Sequence, residues 1–214
     1  MPVVTDDWNA LAATFDDEPD HGLRDPEVRG AWWAVLEPEL PPAPASVADL
    51  ACGTGSLSLL LADHGYEVTG IDLAPRMLEL AEAKLGGRAR FVLGDVADPP
   101  LPAGAFDVVL ARHILFALAD PEAAMARWAG LLAPGGRLVL IEGFWHIPTR
   151  TAGTPLRGAP EPAGVGPGSG LHPEEVQRIV RTTRDEAAVT RLDDRPALWG
   201  GPVADERFLV ASLR

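Results

Sequence analysis

Two hydrophobic periods alternate along most of the chain. From Ser46 onward, apolar runs as short as buried strands alternate with segments in which apolar residues recur at helical spacing. The predicted strands are 47–51, 67–71, 90–93, 106–111, 137–142, 187–192 and 207–213, and the predicted helices among them are 56–64, 75–85, 121–132 and 173–183. Strands that alternate with helices form βαβ crossovers, so the pattern predicts an α/β fold with a largely parallel sheet.

Two parts of the chain lie outside this alternation. Residues 5–15 and 26–37 are predicted helices, and a proline-rich segment at 41–44 separates them from the first strand. We therefore expect residues 1–45 to form a helical cap on the main domain, residues 46–214, within a single-domain protein. Residues 148–170 are dense in proline and glycine, which is typical of a functional lid or a disordered stretch, and we expect a flexible lid at about 146–170.

Composition narrows the classes of partner. The chain has 214 residues and a formal net charge of −13, and it lacks the basic stripe that binds nucleic-acid phosphates. Nucleic acids and anionic membranes are therefore not expected partners. Cys52 is the only cysteine, residues 1–15 lack a signal-peptide pattern, and no apolar run approaches the roughly 20 residues of a membrane span. These features predict a cytoplasmic protein.

The strongest local signal is the segment VADLACGTGSLS, residues 47–58, in which a strand enters a helix through a glycine-rich turn. Gly53 and Gly55 let a ligand approach the backbone, and the helix N-terminus offers free N–H groups. Asp49 lies at the end of this strand, and Asp72 closes the next one, where a carboxylate can bind ribose hydroxyls. A dinucleotide fingerprint would have glycine at Ser58, and Asp49 would repel a pyrophosphate but attract an ammonium group. An NAD(P)-dependent oxidoreductase is the alternative that this motif disfavours.

Five motifs in order resemble the class I S-adenosylmethionine-dependent methyltransferases, and within them the type 11 group of small-molecule enzymes. They are DLACGTG from residue 49, GIDLAPRML from 70, GDVADPPLP from 94, FDVVLARHILFAL from 106 and LLAPGGRLVLIEG from 131. The resemblance covers about residues 46–143. It implies a doubly wound, mostly parallel, seven-stranded sheet with an antiparallel last strand, and a cofactor across the carboxyl ends of the strands.

The same resemblance implies which residues contact the cofactor, S-adenosyl-L-methionine. They are Asp49, Ala51, Gly53, Gly55, Asp72, Leu73, Asp95, Val96 and Arg112. Asp72 is expected to bind the ribose and Asp95 the adenine amino group, whereas Arg112 contacts the cofactor or a substrate carboxylate, or forms a surface salt bridge. Ala51 stands where the family more often has glycine, and a negative φ would accommodate alanine there.

Candidate acceptor residues follow the fourth and fifth strands or belong to the cap. His113 and His146 are candidate general bases, with a cleft-wall or solvated role as the alternative. Trp8, Trp33, Trp145 and Trp199 are candidate walls of a substrate pocket, although Trp8 and Trp33 could instead pack the cap onto the sheet. The acidic run at 16–20 is expected to be solvated.

These expectations describe an enzyme that methylates an oxygen, nitrogen or carbon atom of a small-molecule metabolite and forms S-adenosyl-L-homocysteine. No cluster of Asp, His and Asn follows the fourth strand, so we expect no metal site and no metal requirement. A non-catalytic nucleoside-binding protein is a further alternative. The expected assembly is a monomer or a homodimer.

Overall fold

The structure, a computed structural model, describes residues 5–145 and 169–212. Its strands are β1 (Ser46–Leu50), β2 (Glu67–Asp72), β3 (Arg90–Leu93), β4 (Phe106–Arg112), β5 (Leu132–Trp145), β6 (Ser169–Gly170), β7 (Ala187–Arg191) and β8 (Glu206–Ser212). Its helices are α1 (Thr5–Leu11), α2 (Pro19–Gly22), α3 (Pro26–Leu36), α4 (Ser56–Asp63), α5 (Pro75–Leu85), α6 (Pro121–Leu131) and α7 (Pro173–Arg181). The predicted lid at 146–170 lies outside the described residues except for β6.

Seven strands lie side by side in the order β3-β2-β1-β4-β5-β8-β7, and the two-residue β6 pairs only with β5. Strands β1 to β5 are parallel to one another, whereas β8 runs antiparallel to both β5 and β7. The order reverses at β1, which lies between β2 and β4. This topology confirms the expected doubly wound sheet with an antiparallel last strand.

Two hydrophobic layers cover the faces of the sheet. On one face α3 and α4 bury Trp32, Leu36 and Leu61, and on the other α6 and α7 bury Trp128 and Val176. The helices begin where their sequences allow, because Pro26 and Pro121 stand at first helical positions and the side chains of Asp25 and Asp120 accept backbone N–H groups at the caps. Within the described parts of the chain, no helix is long and apolar enough to cross a membrane.

The N-terminal segment differs from the expected single helix at 5–15. Helix α1 ends at Leu11, a short 3-10 turn covers Phe15–Asp17, and α2 follows. The turn carries Phe15 and Asp16 to the loop after β1, where both find partners. Further along, Trp32 in α3 donates its Nε1–H to the Leu198 carbonyl at 2.9 Å, so this part of the predicted cap packs against the loop before β8.

Candidate functional site

Strand register brings the predicted cofactor loops to one edge of the sheet. Leu50 at the end of β1 lies opposite Ile71 in β2 and Ala111 in β4, and Asp72 at the end of β2 lies opposite Leu93 at the end of β3. The loops that follow these four strands therefore meet at their carboxyl ends. In open α/β sheets this edge, beside the point where strand order reverses, is where ligands bind.

The loop after β1 turns sharply through three left-handed residues, Ala51 (φ 57°), Gly53 (φ 54°) and Gly55 (φ 76°). A Cβ at Gly55 would lie 3.0 Å from the Cβ of Ala81. Any other residue would therefore meet a close contact here in addition to the strain of a positive φ. The φ of Ala51 is positive, so alanine is not accommodated here by a negative φ. An L-residue in this region carries strain of about 1–2 kcal/mol, and the loop must hold it in place.

Asp72 fixes this loop from the next strand. Its carboxylate accepts the backbone N–H of Gly53 at 2.8 Å and that of Ala74 at 2.9 Å. Burial raises the pKa of Asp72, and the backbone N–H groups of Ala74, Gly53 and Leu73 act in the opposite direction. Leu73 is 40% exposed, which is unusual for a large apolar side chain in this protein and leaves apolar surface beside the carboxylate.

Asp49 is a second carboxylate behind the loop, 2% exposed. Burial raises its pKa to about 6, and a hydrogen bond of 2.5 Å from the Ser58 hydroxyl opposes that rise. Ser58 therefore has a role in the position where a dinucleotide fingerprint has glycine. The guanidinium of Arg112 is buried, donates to the Asp20 carbonyl and lowers the pKa of Asp49 through its charge. Such a carboxylate is prepared for a ligand cation.

The other two predicted cofactor residues follow β3. Asp95 is exposed and accepts the Ala97 N–H at 2.8 Å, which leaves acceptor capacity toward solvent. Val96 is buried, and its carbonyl accepts the Trp128 Nε1–H at 2.6 Å. The Val96 bond anchors the loop to α6 and thereby holds Asp95 at the ligand edge.

The N-terminal segment covers this loop. The ring of Phe15 lies 3.4 Å from the position that a Cβ would take on Gly53. Asp16 accepts the Thr54 hydroxyl at 2.5 Å and pairs with Lys84 in α5 at 2.8 Å, with the Asp16 side chain only 13% exposed. The expectation that the acidic run is solvated is therefore wrong for Asp16, because Lys84 and the loop after β1 provide partners.

His113 lies on the acceptor side of the same edge, one residue after β4. It is half-buried with both ring nitrogens buried, has φ 56° and donates its backbone N–H to the Ile141 carbonyl at 2.8 Å. Neither ring nitrogen has a hydrogen-bond partner among the described residues. Burial lowers the pKa of His113 well below its usual value, and the charges of Arg207 and Arg112 lower it further. The imidazole is therefore uncharged at neutral pH.

Two of the four predicted tryptophans lie beside His113. Its ring centroid is 5.3 Å from that of Trp145 and 6.4 Å from that of Trp199. Arg207 in β8, which sequence reasoning missed, places its guanidinium over both indoles, at 4.9 Å and 5.3 Å. Phe116, also missed, lies 4.9 Å from Trp145. No motif marks Arg207, because only the β5–β8 pairing brings the last strand to this edge.

The remaining predicted residues lie elsewhere. Trp8 packs near Phe15, Ala74 and Met77, on the cofactor side of the edge. Trp33 stacks on His64 at 3.5 Å beside Tyr66, where β2 begins, so the structure does not bring Trp33 to the other site residues. His146 lies outside the described residues. Across residues 5–145 and 169–212, no group of three or more His, Cys, Asp or Glu side chains is placed to hold a metal ion.

Comparisons with known proteins agree with this geometry. The geranyl diphosphate C-methyltransferase of Streptomyces coelicolor has the same fold, with a TM-score of 0.66 at 17% identity over 86% of this chain and 80% of that one. Residues 48–140 match the family model described as a methyltransferase domain. The central part of the chain is thus similar to a methyltransferase domain.

Curated relatives match the same central part of the chain. A stretch of 105 residues is 44% identical to the demethylmenaquinone methyltransferase of Thermus thermophilus and covers 47% of this chain and 48% of that protein. Another of 105 residues is 39% identical to the ubiquinone biosynthesis O-methyltransferase of Xanthomonas axonopodis pv. citri and covers 47% of this chain and 44% of that protein. The chain thus spans about half the length of the curated relatives it matches.

Proposed function

We propose that this protein transfers the methyl group of S-adenosyl-L-methionine to a hydroxyl oxygen of a small-molecule metabolite and releases S-adenosyl-L-homocysteine. One observation carries the proposal. A left-handed glycine loop with the buried carboxylate of Asp49 and the half-buried carboxylate of Asp72 shares a sheet edge with the imidazole of His113, whose two ring nitrogens are buried with no hydrogen-bond partner among the described residues. The loop and its carboxylates suit a nucleoside with an ammonium group, and the imidazole can act as the proton acceptor.

The cofactor side of the edge offers a partner for each part of the cofactor. A carboxylate has about four acceptor positions, so Asp72 can bind ribose hydroxyls in addition to its two backbone N–H groups. Leu73 offers apolar surface to the adenine ring, and Asp95 offers an acceptor to its amino group. Asp49 provides charge for the ammonium group and Arg112 for the carboxylate. When bound, the cofactor supplies a sulfonium methyl group that is already activated for transfer.

The acceptor side must align the nucleophile, exclude water and take a proton. His113 lies between Trp145 and Trp199, and the unprotonated nitrogen of its uncharged ring, which has no partner among the described residues, can accept a hydroxyl proton. The residue is held in a strained backbone conformation by the Ile141 carbonyl, and strain that surrounding structure imposes is common at functional positions. Oxygen as the acceptor atom also agrees with the name of the Xanthomonas relative, ubiquinone biosynthesis O-methyltransferase.

Calorimetry with S-adenosyl-L-homocysteine tests the cofactor assignment first. We expect saturable binding to the wild-type protein and no binding of NADH, which would indicate the oxidoreductase alternative. Asp72→Ala should lower the affinity for S-adenosyl-L-homocysteine by about 100-fold. The variant loses the two charge-assisted hydrogen bonds to the ribose hydroxyls and the bond that anchors the Gly53 N–H. Asp185→Ala, at an exposed position, is the matched control. Wild-type affinity in Asp72→Ala would contradict the assigned site.

Turnover with hydroxyl-bearing acceptors tests the reaction. Formation of S-adenosyl-L-homocysteine should be retained in EDTA, and His113→Gln should lower kcat by about 100-fold with little change in cofactor affinity. Methylation of carbon or nitrogen in preference to oxygen would replace the proposed acceptor atom. Failure to turn over any acceptor, with cofactor binding intact, would favour the non-catalytic alternative.

A further inference from the structure

The acceptor side of the edge contains a charged group, Arg207, that the proposed chemistry does not use. Arg207 in β8 lies opposite Gly143 in β5, and its guanidinium is 4.9 Å from the ring of Trp145 and 5.3 Å from that of Trp199. The same two indoles contact His113. Arg207 and His113 therefore belong to one cluster, which we call the Trp145–Trp199 cluster, with these four residues as its members.

Hydrogen bonding within this cluster is incomplete. Among the described residues, both ring nitrogens of His113 and Nε of Arg207 are buried without a partner. A buried donor or acceptor without a partner is costly, and native proteins retain few of them. A neutral imidazole has one donor and one acceptor, and Nε–H is a second donor. A ligand that completes the cluster must bring one donor and acceptors for two N–H groups.

Charge narrows the ligand further. Arg207, Arg112 and His21 all act to keep His113 uncharged, and no carboxylate is among the groups that act on it. Asp205 and Asp20 face Arg207, and Asp205 accepts from its Nη2 at 3.1 Å, whereas the adjacent Nε–H has no partner among the described residues and can donate to a ligand. A protonated amine would be repelled by the two guanidinium groups. A carboxylate suits the guanidinium, and a hydroxyl group suits the imidazole acceptor.

We propose that the acceptor of this enzyme is a hydroxy acid whose carboxylate binds Arg207 while its hydroxyl group meets His113 between Trp145 and Trp199. The inference rests on the proposed function, because His113 faces the methyl group only if the cofactor lies on the Asp72 side of the edge. Arg207 is then the residue that selects an anionic acceptor, and the two indoles favour a flat carbon skeleton next to it.

The test compares each acid with its uncharged amide. Calorimetry on the full chain saturated with S-adenosyl-L-homocysteine would use 4-hydroxybenzoate, salicylate and lactate, each beside its amide. We expect the tightest ligand to be an acid that binds at least about ten-fold more tightly than its amide, as charge-assisted hydrogen bonds imply. Amides that bind as well as their acids, or failure of every acid to bind, would overturn the proposal.

Variants assign the preference to Arg207. In Arg207→Gln the ratio of acid to amide affinity should fall to near one, while affinity for S-adenosyl-L-homocysteine stays within about two-fold of wild type. Arg178→Gln removes the same charge from an exposed pair with Glu122 and should leave the ratio unchanged. Survival of the ratio in Arg207→Gln would contradict the assignment.

A further variant keeps the test decisive if Arg207→Gln does not fold. Asp205→Asn removes a carboxylate that competes for the guanidinium, so acids should bind several-fold more tightly and amides should not change. Unchanged or weaker acid binding in Asp205→Asn would overturn the inference. Failure of the proposed function is separately visible, because it would abolish cofactor binding or turnover, whereas failure of this inference alone leaves a cofactor-binding enzyme that methylates neutral acceptors.

Discussion

Glu142 at the ligand edge of β5 should make the stability of this protein depend on pH. The side chain is fully buried, and its Oε1 accepts the backbone N–H groups of Ile114 and Leu115 at 3.0 and 2.9 Å. Its Oε2 has no partner among the described residues. Burial raises the pKa from 4.5 to about 7, and the two N–H groups only partly oppose it. Glu142→Gln keeps an acceptor for both N–H groups but cannot ionise.

The sign and size follow from the pKa values in the two states. Because the folded-state pKa is raised, the stabilising contribution is fully present below pH 4.5 and is lost as pH rises through about 7. These two pKa values correspond to a full contribution of about 3.4 kcal/mol, of which about 2.5 kcal/mol is lost between pH 5 and pH 8.5. The free energy of unfolding of wild type should therefore fall between these pH values by about 2.5 kcal/mol more than that of Glu142→Gln.

Urea unfolding of wild type and Glu142→Gln at pH 5 and pH 8.5 measures this difference between two pH-dependent changes, which we call the double difference. The contribution of Asp49 cancels because both proteins contain it. Glu79→Gln, a substitution at an exposed position of α5, is the control and should show no double difference. A Glu142→Gln protein whose stability depends on pH as steeply as that of wild type would refute the reasoning. It would mean that the carboxyl group is relaxed or hydrated when it ionises, so that burial does not oppose its charge.

Three further predictions concern the cofactor side of the edge. Ala51→Gly should raise the free energy of unfolding by about 1 kcal/mol, because glycine adopts a left-handed φ without strain. The control Ala48→Gly in β1 should lower the free energy of unfolding, and a destabilised Ala51→Gly protein would contradict the inference that Ala51 is strained. Affinity for S-adenosyl-L-homocysteine should fall about ten-fold from pH 7.5 to pH 5 as Asp49, with pKa about 6, takes up a proton, and calorimetry of Asp49→Asn should show no such step. Lys84→Met should release S-adenosyl-L-homocysteine about five-fold faster in stopped-flow fluorescence, since the pair with Asp16 holds the covering segment, and Arg76→Met should not.

The parallel sheet and the cofactor loop could be predicted because their signals are local. Strands and helices alternate with clear periods, and the turn through Gly53 and Gly55 needs glycine for its backbone conformation. Asp72 follows from its place at the end of a predicted strand. The strand boundaries were less predictable at β5, which begins at Leu132 because Leu132 pairs with Phe106 across an irregularity in register.

The acceptor side could not be predicted to the same depth, because its residues meet only through tertiary structure. Arg207 reaches Trp145 through the antiparallel pairing of β8 with β5, which no motif encodes. Trp33 was a candidate wall of the substrate pocket, yet its position on α3 directs it toward His64 near the start of β2. Asp16 looked like part of a solvated acidic run, and only the fold places it on Lys84.

The described non-glycine residues with positive φ are Leu23, Ala51 and His113, and their distribution links stability to function. Ala51 and His113 follow the adjacent strands β1 and β4, on the two sides of the line along which a methyl group would pass. Leu23 ends α2, in the segment that covers them. The buried carboxyl of Asp49 and the ring nitrogens of His113, which have no partner among the described residues, both lie at the proposed ligand edge. A cofactor and an acceptor that bind to these polar groups gain affinity by relieving their unfavourable burial. The two hydrophobic layers of the core need no such strained or unpartnered groups, because they bind no ligand in the proposed mechanism.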